Sequence, residues 1–268
     1  MLNICLCYNY NGDGMRIDKI IKLKNNKYKM IIDGEELVTF DNVLLDNNLL
    51  YKKNIDKDLY KKIKNDTTYY EVYNDTVKYI LKKKRSKKEI IDFLDKKHFD
   101  KKDTIIKKLE DLKLINDIEY CASYINDKIY LSKNGINKIR IDLLNQNIPI
   151  DVIENELNKI DYSVLNDRLE KMIIKKIKYN RKYSNYQLSQ KIMNEMVNLG
   201  YNKEQVIDIL NQNLIVNDSI INNEFNKIYS KFKNRLSGVE LNNKIKQKML
   251  SKGFELEKIN ELIKKTEN

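Results

Sequence analysis

The 268-residue chain has no tryptophan, one proline, one histidine, three cysteines and seven glycines. With a single proline, at Pro149, little in the sequence interrupts a helix. Cys5, Cys7 and Cys121 show no metal-ligand spacing and leave an odd thiol in any disulfide scheme, which argues against a zinc module or a disulfide framework and fits a reducing cytoplasm. His98 has no partner histidine, so it reads as a solvated turn residue rather than a base or metal ligand. No run approaches the roughly 18 uncharged apolar residues that a membrane span needs. P-loop, nucleophile-elbow and HExxH patterns are absent, so catalytic, cofactor and metal sites are expected to be none. Asp117 and Glu119 lie close together, but at a helix start, where capping accounts for them.

What the chain has in excess is lysine, asparagine and isoleucine, the imprint expected of an AT-rich genome, and a net charge of +12. That charge is uneven. Residues 78–113 hold 14 Lys or Arg against 7 Asp or Glu, a net +7 in 36 residues. Such a cluster is either a solvated helix face or a polyanion contact, and composition leaves both open. The residues chosen for contact are Lys82, Lys83, Lys84, Arg85, Lys87 and Lys88, with Arg140 as a weaker candidate.

A helical unit recurs. Residues 196–206 and 249–259 align without a gap, with Gly200 and Gly253 spaced 53 apart, and residues 143–153 place Asn147 another 53 upstream. A looser first copy runs through Leu94 to Phe99, with one extra residue before the aromatic. Each copy reads as an apolar helix ending at Gly or Asn, a hydrophobic plug, and a second helix. Third helices follow at 117–124, 164–177 and 218–232. Most tyrosines, including Tyr79, Tyr124 and Tyr201, fall on apolar stripes or turn plugs and are assigned to the core rather than to base stacking. The expected fold is mainly α, with tandem three-helix repeats forming an elongated curved array.

Ahead of the repeats the period switches to two. Strands are expected at 17–23, 28–32 and 36–40, with turns at Asn25-Asn26 and Asp33-Gly34, giving a small antiparallel β module. Asp41 is expected to cap a helix through residue 45, Asp56 another through 64, and a further helix spans 76–84. Ser86 with Glu89 reads as a capping box that opens a helix directly after Lys82-Lys83-Lys84-Arg85. Residues 1–14 match nothing else and read as a disordered or mis-called extension, with translation starting at Met15. The expected divisions are 1–14, a β module at 15–66, repeats at 67–126, 127–178 and 179–234, and a partial C-terminal hairpin at 235–268.

Four stretches carry a family likeness. Residues 85–94 show an R-S-x-x-E-hydrophobic helix start; Leu114 through Tyr124 is similar to L-x-N/D-D-x-x-F-A-x-x-Y; Gly135 through Leu144 matches G-x-x-x-I-x-x-x-L; and Lys252-Gly253-Phe254 is a K-G-F turn. In order and spacing the chain resembles the RecX family of recombinase regulators, in the longer form found in Firmicutes-type bacteria. It departs at the second turn, where Gln146-Asn147-Ile148 stands for Lys-Gly-Ile.

The resemblance implies a cytoplasmic, non-enzymatic protein that lies in the groove of a RecA filament on single-stranded DNA. It would inhibit recombinase, ATPase and co-protease activity in DNA repair and the SOS response. A full array with polar terminal helices favours a monomer. The alternative is a sequence-independent nucleic-acid-binding helical-repeat protein that acts without RecA; charge and repeats allow it equally.

Overall fold

The computed structural model describes residues 14–215 and 218–267. Cys5, Cys7 and all but the last residue of the expected extension lie outside them. The chain divides into two compact units, Met1–Asp117 and Ile118–Asn268. Among the described residues there are thirteen α-helices and one four-stranded antiparallel sheet.

In the first unit, β1 (Met15–Lys22), β2 (Lys27–Ile32), β3 (Glu35–Phe40) and β4 (Asn54–Ile55) assemble in the order β3-β2-β1-β4. The turns fall where expected. Asn25 and Asn26 take φ of 59° and 55°, and Asp33 and Gly34 take 48° and 82°, the left-handed conformations that tight reversals demand. Asp18 accepts from the Gly34 N–H at 3.0 Å and from Arg16 Nε at 2.7 Å. The Arg16 bond, then the Gly34 bond, hold its carboxyl below the usual range. The fourth strand was not anticipated, since two residues are too few to show a period.

Helix α1 (Asp41–Asp46) corrects the expected cap: Phe40 occupies the cap position, and Asp41 is the first helical residue. Asp56 does cap α2 (Lys57–Leu81), accepting from the Leu59 N–H at 2.7 Å. The two short helices expected at 56–64 and 76–84 merge into this single 25-residue helix, which ends at Leu81 and leaves 82–84 outside it. Its polar middle stays helical because Ile63, Tyr70 and Val72 are buried along it, while the Thr67 and Thr76 hydroxyls are satisfied on the carbonyls four residues back, each at 2.7 Å. The division placed at 66/67 therefore falls inside α2. One face of α2 buries Ile63 and Tyr70 against Met30, Ile32, Val43 and Leu49 of the β module. Further along, Val72 joins Ile90, Leu94, Ile105 and Leu109 of α3 (Lys87–Asp95) and α4 (Lys102–Asp111).

Helix α5 (Asp117–Leu131) runs seven residues beyond the expected end and through the division placed at 126/127. In the second unit there follow α6 (Ile136–Leu144), α7 (Ile150–Leu157), α8 (Ser163–Lys178), α9 (Asn185–Asn198), α10 (Lys203–Asn213), α11 (Asp218–Phe232), α12 (Gly238–Leu250) and α13 (Leu256–Glu267). Three buried clusters serve them. The first centres on Cys121, Ile139 and Leu143, the second on Leu169, Ile192 and Met196, and the third on Phe225, Ile245 and Met249.

The repeat turns obey one rule. His98, Asn147, Gly200 and Gly253 have φ of 51°, 60°, 90° and 76°. Each lies four residues after a fully buried anchor: Leu94, Leu143, Met196 and Met249. The first copy thus carries no extra residue, because His98 itself takes the left-handed position. In the last three copies the plug residue, Ile148, Tyr201 or Phe254, donates its N–H to the anchor carbonyl at 3.0 to 3.3 Å, the helix-terminating 6→1 bond.

In the second unit these turns seat on the start of the preceding repeat. Gly135 and Asn137 donate N–H bonds to the carbonyls of Leu199 and Gly200 at 2.6 and 3.0 Å, and Ser184 Oγ donates to the Lys252 carbonyl at 2.6 Å. The spacing from helix cap to turn residue is 12 positions for Ser86–His98 and Gly135–Asn147, and 16 for Ser184–Gly200 and Ser237–Gly253. The difference of four is about one helical turn of ~3.6 residues, so the later first helices lengthen without rotating their buried face.

Candidate polyanion-binding surface

The Lys82–Arg85 run follows the end of α2, and α3 starts behind it on the expected capping box. Glu89 N–H donates to Ser86 Oγ at 3.1 Å, and Ser86 N–H donates to Glu89 Oε2 at 3.1 Å. Glu89 also accepts from Arg85 at 3.0 Å and pairs with Lys83 at 3.4 Å. The Arg85 guanidinium lies 3.9 Å from the centre of the Tyr79 ring; that ring stacks on Phe93 at 4.4 Å, and Lys97 covers Phe93 at 5.6 Å. Arg85 is only 14% exposed, and its Nε is buried without a partner. The R-S-x-x-E pattern is thereby explained as a joint between two helices, with Arg85 turned inward.

Most of this cluster is engaged within the unit. Lys87 Nζ pairs with Glu110 at 2.6 Å, and its backbone N–H donates to Asp117 Oδ1 at 2.8 Å. Burial pushes the Asp117 carboxyl up, while the Lys87 N–H pulls the other way. Lys97 pairs with Asp75 at 2.9 Å, which holds Asp75 below its usual range, and Lys102 pairs with Asp95 at 2.6 Å. Lys108 sits over Tyr69, Tyr70 and Tyr73 at 5.8, 5.0 and 4.6 Å. Lys82, Lys83 and Lys84 are exposed, and Lys88 is half-buried. Lys82 makes no ion pair among the described residues.

Arg140 belongs to the second unit. It grips Glu154 through two bonds of 2.5 and 3.2 Å and donates to Asn137 at 2.7 Å. The Glu154 bond raises the arginine and lowers the carboxyl. Its partners make it a brace between α6 and α7. The tyrosines named in sequence pack as core: Tyr201 is buried, and Tyr124 is half-buried with its hydroxyl on Asp142 at 3.0 Å. Burial, reinforced by that bond, pushes the Tyr124 hydroxyl up.

Two features escaped the sequence reading. Arg168 donates to the carbonyls of Ile129, Ser132 and Asn134, the last two at 2.7 Å, and to the Tyr201 hydroxyl at 2.9 Å. It ties the end of α5 to a repeat turn. Residues 171–194 carry seven Lys or Arg and no Asp or Glu, a denser excess than 78–113. The run is legible in sequence as seven basic residues without a carboxylate, but it carries no family-like motif. A cleft of about 610 Å³ lies between Tyr186, Ile220 and Phe254, its charged lining residues being Glu255 and Lys258. Among the described residues no group of three His, Cys, Asp or Glu is placed to hold a metal, and no helix is long and apolar enough to cross a membrane.

No family model matches the chain. The regulatory protein RecX of Bacillus cereus (strain G9842) is 27% identical over 254 residues, spanning 92% of this chain and 85% of the relative, a stretch too long to leave out the β module. The regulatory proteins RecX of Streptococcus gordonii and of Streptococcus agalactiae (strain A909) are 25% and 29% identical, each over 68% of this chain and 72% of theirs. A crystal structure of regulatory protein RecX superposes with a TM-score of 0.62 at 22% identity, covering 74% of this chain and 99% of that one, and so shares the fold. The four left-handed turns and the Arg85-Ser86-Glu89 joint thus lie in a chain that is similar, along 92% of its length, to a regulatory protein RecX.

Proposed function

We propose that this protein regulates RecA by lying in the groove of its filament on single-stranded DNA, inhibiting recombinase, ATPase and co-protease activity in DNA repair and the SOS response. It would act in the cytoplasm, as a monomer and without chemistry of its own. The observation that carries this reading is the match to regulatory protein RecX along 92% of the chain. Repetition supports it physically. Similar units repeated along a chain offer similar surfaces to successive filament subunits, and several modest contacts then sum to strong binding. In this reading the divisions at 127–178, 179–234 and 235–268 are the units that meet successive subunits, following the 67–126 repeat.

For the basic cluster the reading keeps Lys82, Lys83, Lys84, Lys87 and Lys88 as polyanion contacts. Arg85, 14% exposed and held by Glu89, and Arg140, held by two bonds to Glu154, act indirectly, while Lys83 and Lys87, more exposed, would exchange Glu89 and Glu110 for the polyanion. The test is the ATPase rate of RecA from the same organism on single-stranded DNA, titrated with this protein. Inhibition well below one protein per RecA is expected. Inhibition only once the protein coats the DNA would replace the filament reading with nucleic-acid binding independent of RecA.

A further inference from the structure

Part of the charge in the α8–α9 segment has no carboxylate partner among the described residues, although Lys182 lies 5.5 Å from the Tyr183 ring centre. Helix α8 buries Leu165, Leu169 and Ile173 on one side. Lys171, Lys175 and Lys178, at i, i+4 and i+7, line an exposed face on the other, and Lys182 follows just past the helix end. None of these four makes an ion pair among the described residues, whereas Lys176, on a different face, is bound to Glu195 at 2.6 Å. The stripe borders an open groove of about 390 Å³ shared with Asp167, which marks its N-terminal limit. At its other end Tyr179 is 66% exposed. Arg181 donates to the carbonyls of Lys178 and Asn180, both at 2.9 Å, and so fixes the turn that presents the tyrosine ring.

We propose that this face of α8, with Lys171, Lys175, Lys178 and Lys182 on phosphates and Tyr179 under a base, is a contact surface for single-stranded nucleic acid. At ~1.5 Å rise per residue, Lys171 and Lys178 stand about 10 Å apart along the helix, far enough for the stripe to meet more than one backbone phosphate. Positive charge in a last helical turn also complements the helix dipole, but that role ends within one turn. Lys171 lies further in, and Lys182 lies beyond the end. An acidic protein would satisfy the charge yet leave the tyrosine ring unused, whereas unpaired bases stack on such rings irrespective of sequence.

The test uses the full chain without RecA, so its outcome is independent of the filament reading. Fluorescence anisotropy of a labelled oligothymidylate of about 30 nucleotides is followed between about 50 and 200 mM salt. Replacing Lys171, Lys175 and Lys178 together by Gln is expected to lower affinity at least about tenfold and to flatten the log–log salt dependence by about 2, at ~0.7 per phosphate contact. Tyr179→Ala is expected to weaken binding by about fivefold or more with the salt slope unchanged. Circular dichroism checks that the triple variant folds; if it does not, Lys171→Gln and Lys178→Gln are read singly, each flattening the slope by ~0.7. Unchanged affinity and slope, absence of binding by the wild type, or a loss found only when Lys82, Lys83 and Lys84 are replaced would overturn the proposal. So would equal competition by polyglutamate with no effect of Tyr179→Ala, an outcome that would assign the face to an acidic protein.

Discussion

At the scale of single residues, the choice of arginine over lysine is the clearest signal. Only six of the 51 basic residues are arginine. Two of them use several nitrogens of the planar fork, Arg140 on Glu154 and Asn137 and Arg168 on three carbonyls and a hydroxyl, while Arg16 on Asp18, Arg85 on Glu89 and Arg181 on two carbonyls each bond through one nitrogen. Lysine has one rotating ammonium and cannot fill several fixed acceptor positions at once. In a chain this rich in lysine, an arginine marks a joint. Arg168→Lys is therefore expected to cost about 2 kcal/mol, because carbonyls at the end of α5 lose their donors, while Arg181→Lys at an exposed turn should stay within ~0.5 kcal/mol. Urea unfolding of both variants measures this, and equal midpoints would mean that water replaces the fork.

Among the elements, the helix starts and turns control how repeats join. Gly200 has φ +90°, and a Cβ there would stand 2.3 Å from the Lys138 backbone nitrogen; Gly34 has φ +82° with nothing within 4 Å. Both pay the left-handed penalty, and only Gly200 adds a clash with main chain. Gly34→Ala should lose about 1 kcal/mol and Gly200→Ala at least ~2 kcal/mol more, since the seam must open. Thermal melts decide this: equal losses would show that the seam yields without cost. Asn147 and His98 occupy the same turn position in the earlier copies, so glycine there is demanded by the close approach rather than by φ alone. The α2 helix carries a related lesson. Its polar centre reads as a break in sequence, yet burial of Ile63, Tyr70 and Val72 against two different cores carries it through.

For the molecule as a whole, the carboxylates with resolved shifts set the response to acid. Asp18, Asp75, Glu154 and Asp161 are all held below their ordinary values of 3.8 or 4.5, by Arg16, Lys97, Arg140 and the Ser163 N–H respectively. A depressed folded-state value means that the native state holds the charged form more strongly than the unfolded chain. The stabilisation is present above the unfolded value and lost as pH falls through the folded one. Asp117, raised by burial, works in the opposite sense. The net expectation is a melting temperature that is flat near neutrality and falls below about pH 4.5. Glu154→Gln should flatten part of that fall while lowering stability at pH 7. An unchanged acid limb in the variant would show that the Arg140 pair is too hydrated to matter.

The sequence by itself determined the helical units, their left-handed turns, the capping box and the alternating strands of the β module. Each of these depends on neighbours a few residues away, through periodicity, cap chemistry and backbone freedom. The likeness to RecX regulatory proteins is legible for the same reason, since the motifs that carry it are caps and turns. Only the tertiary structure decided which charges remain available to a partner. Arg85 and Arg140 lie against Glu89 and Glu154, whereas of the α8 lysines only Lys176 is held by a carboxylate, Glu195, among the described residues, leaving Lys171, Lys175 and Lys178 without one. Charge is written along the chain, but whether it is neutralised depends on residues such as Lys97 and Asp75, 22 positions apart, or Arg168 and Tyr201, 33 apart, that meet only when helices pack.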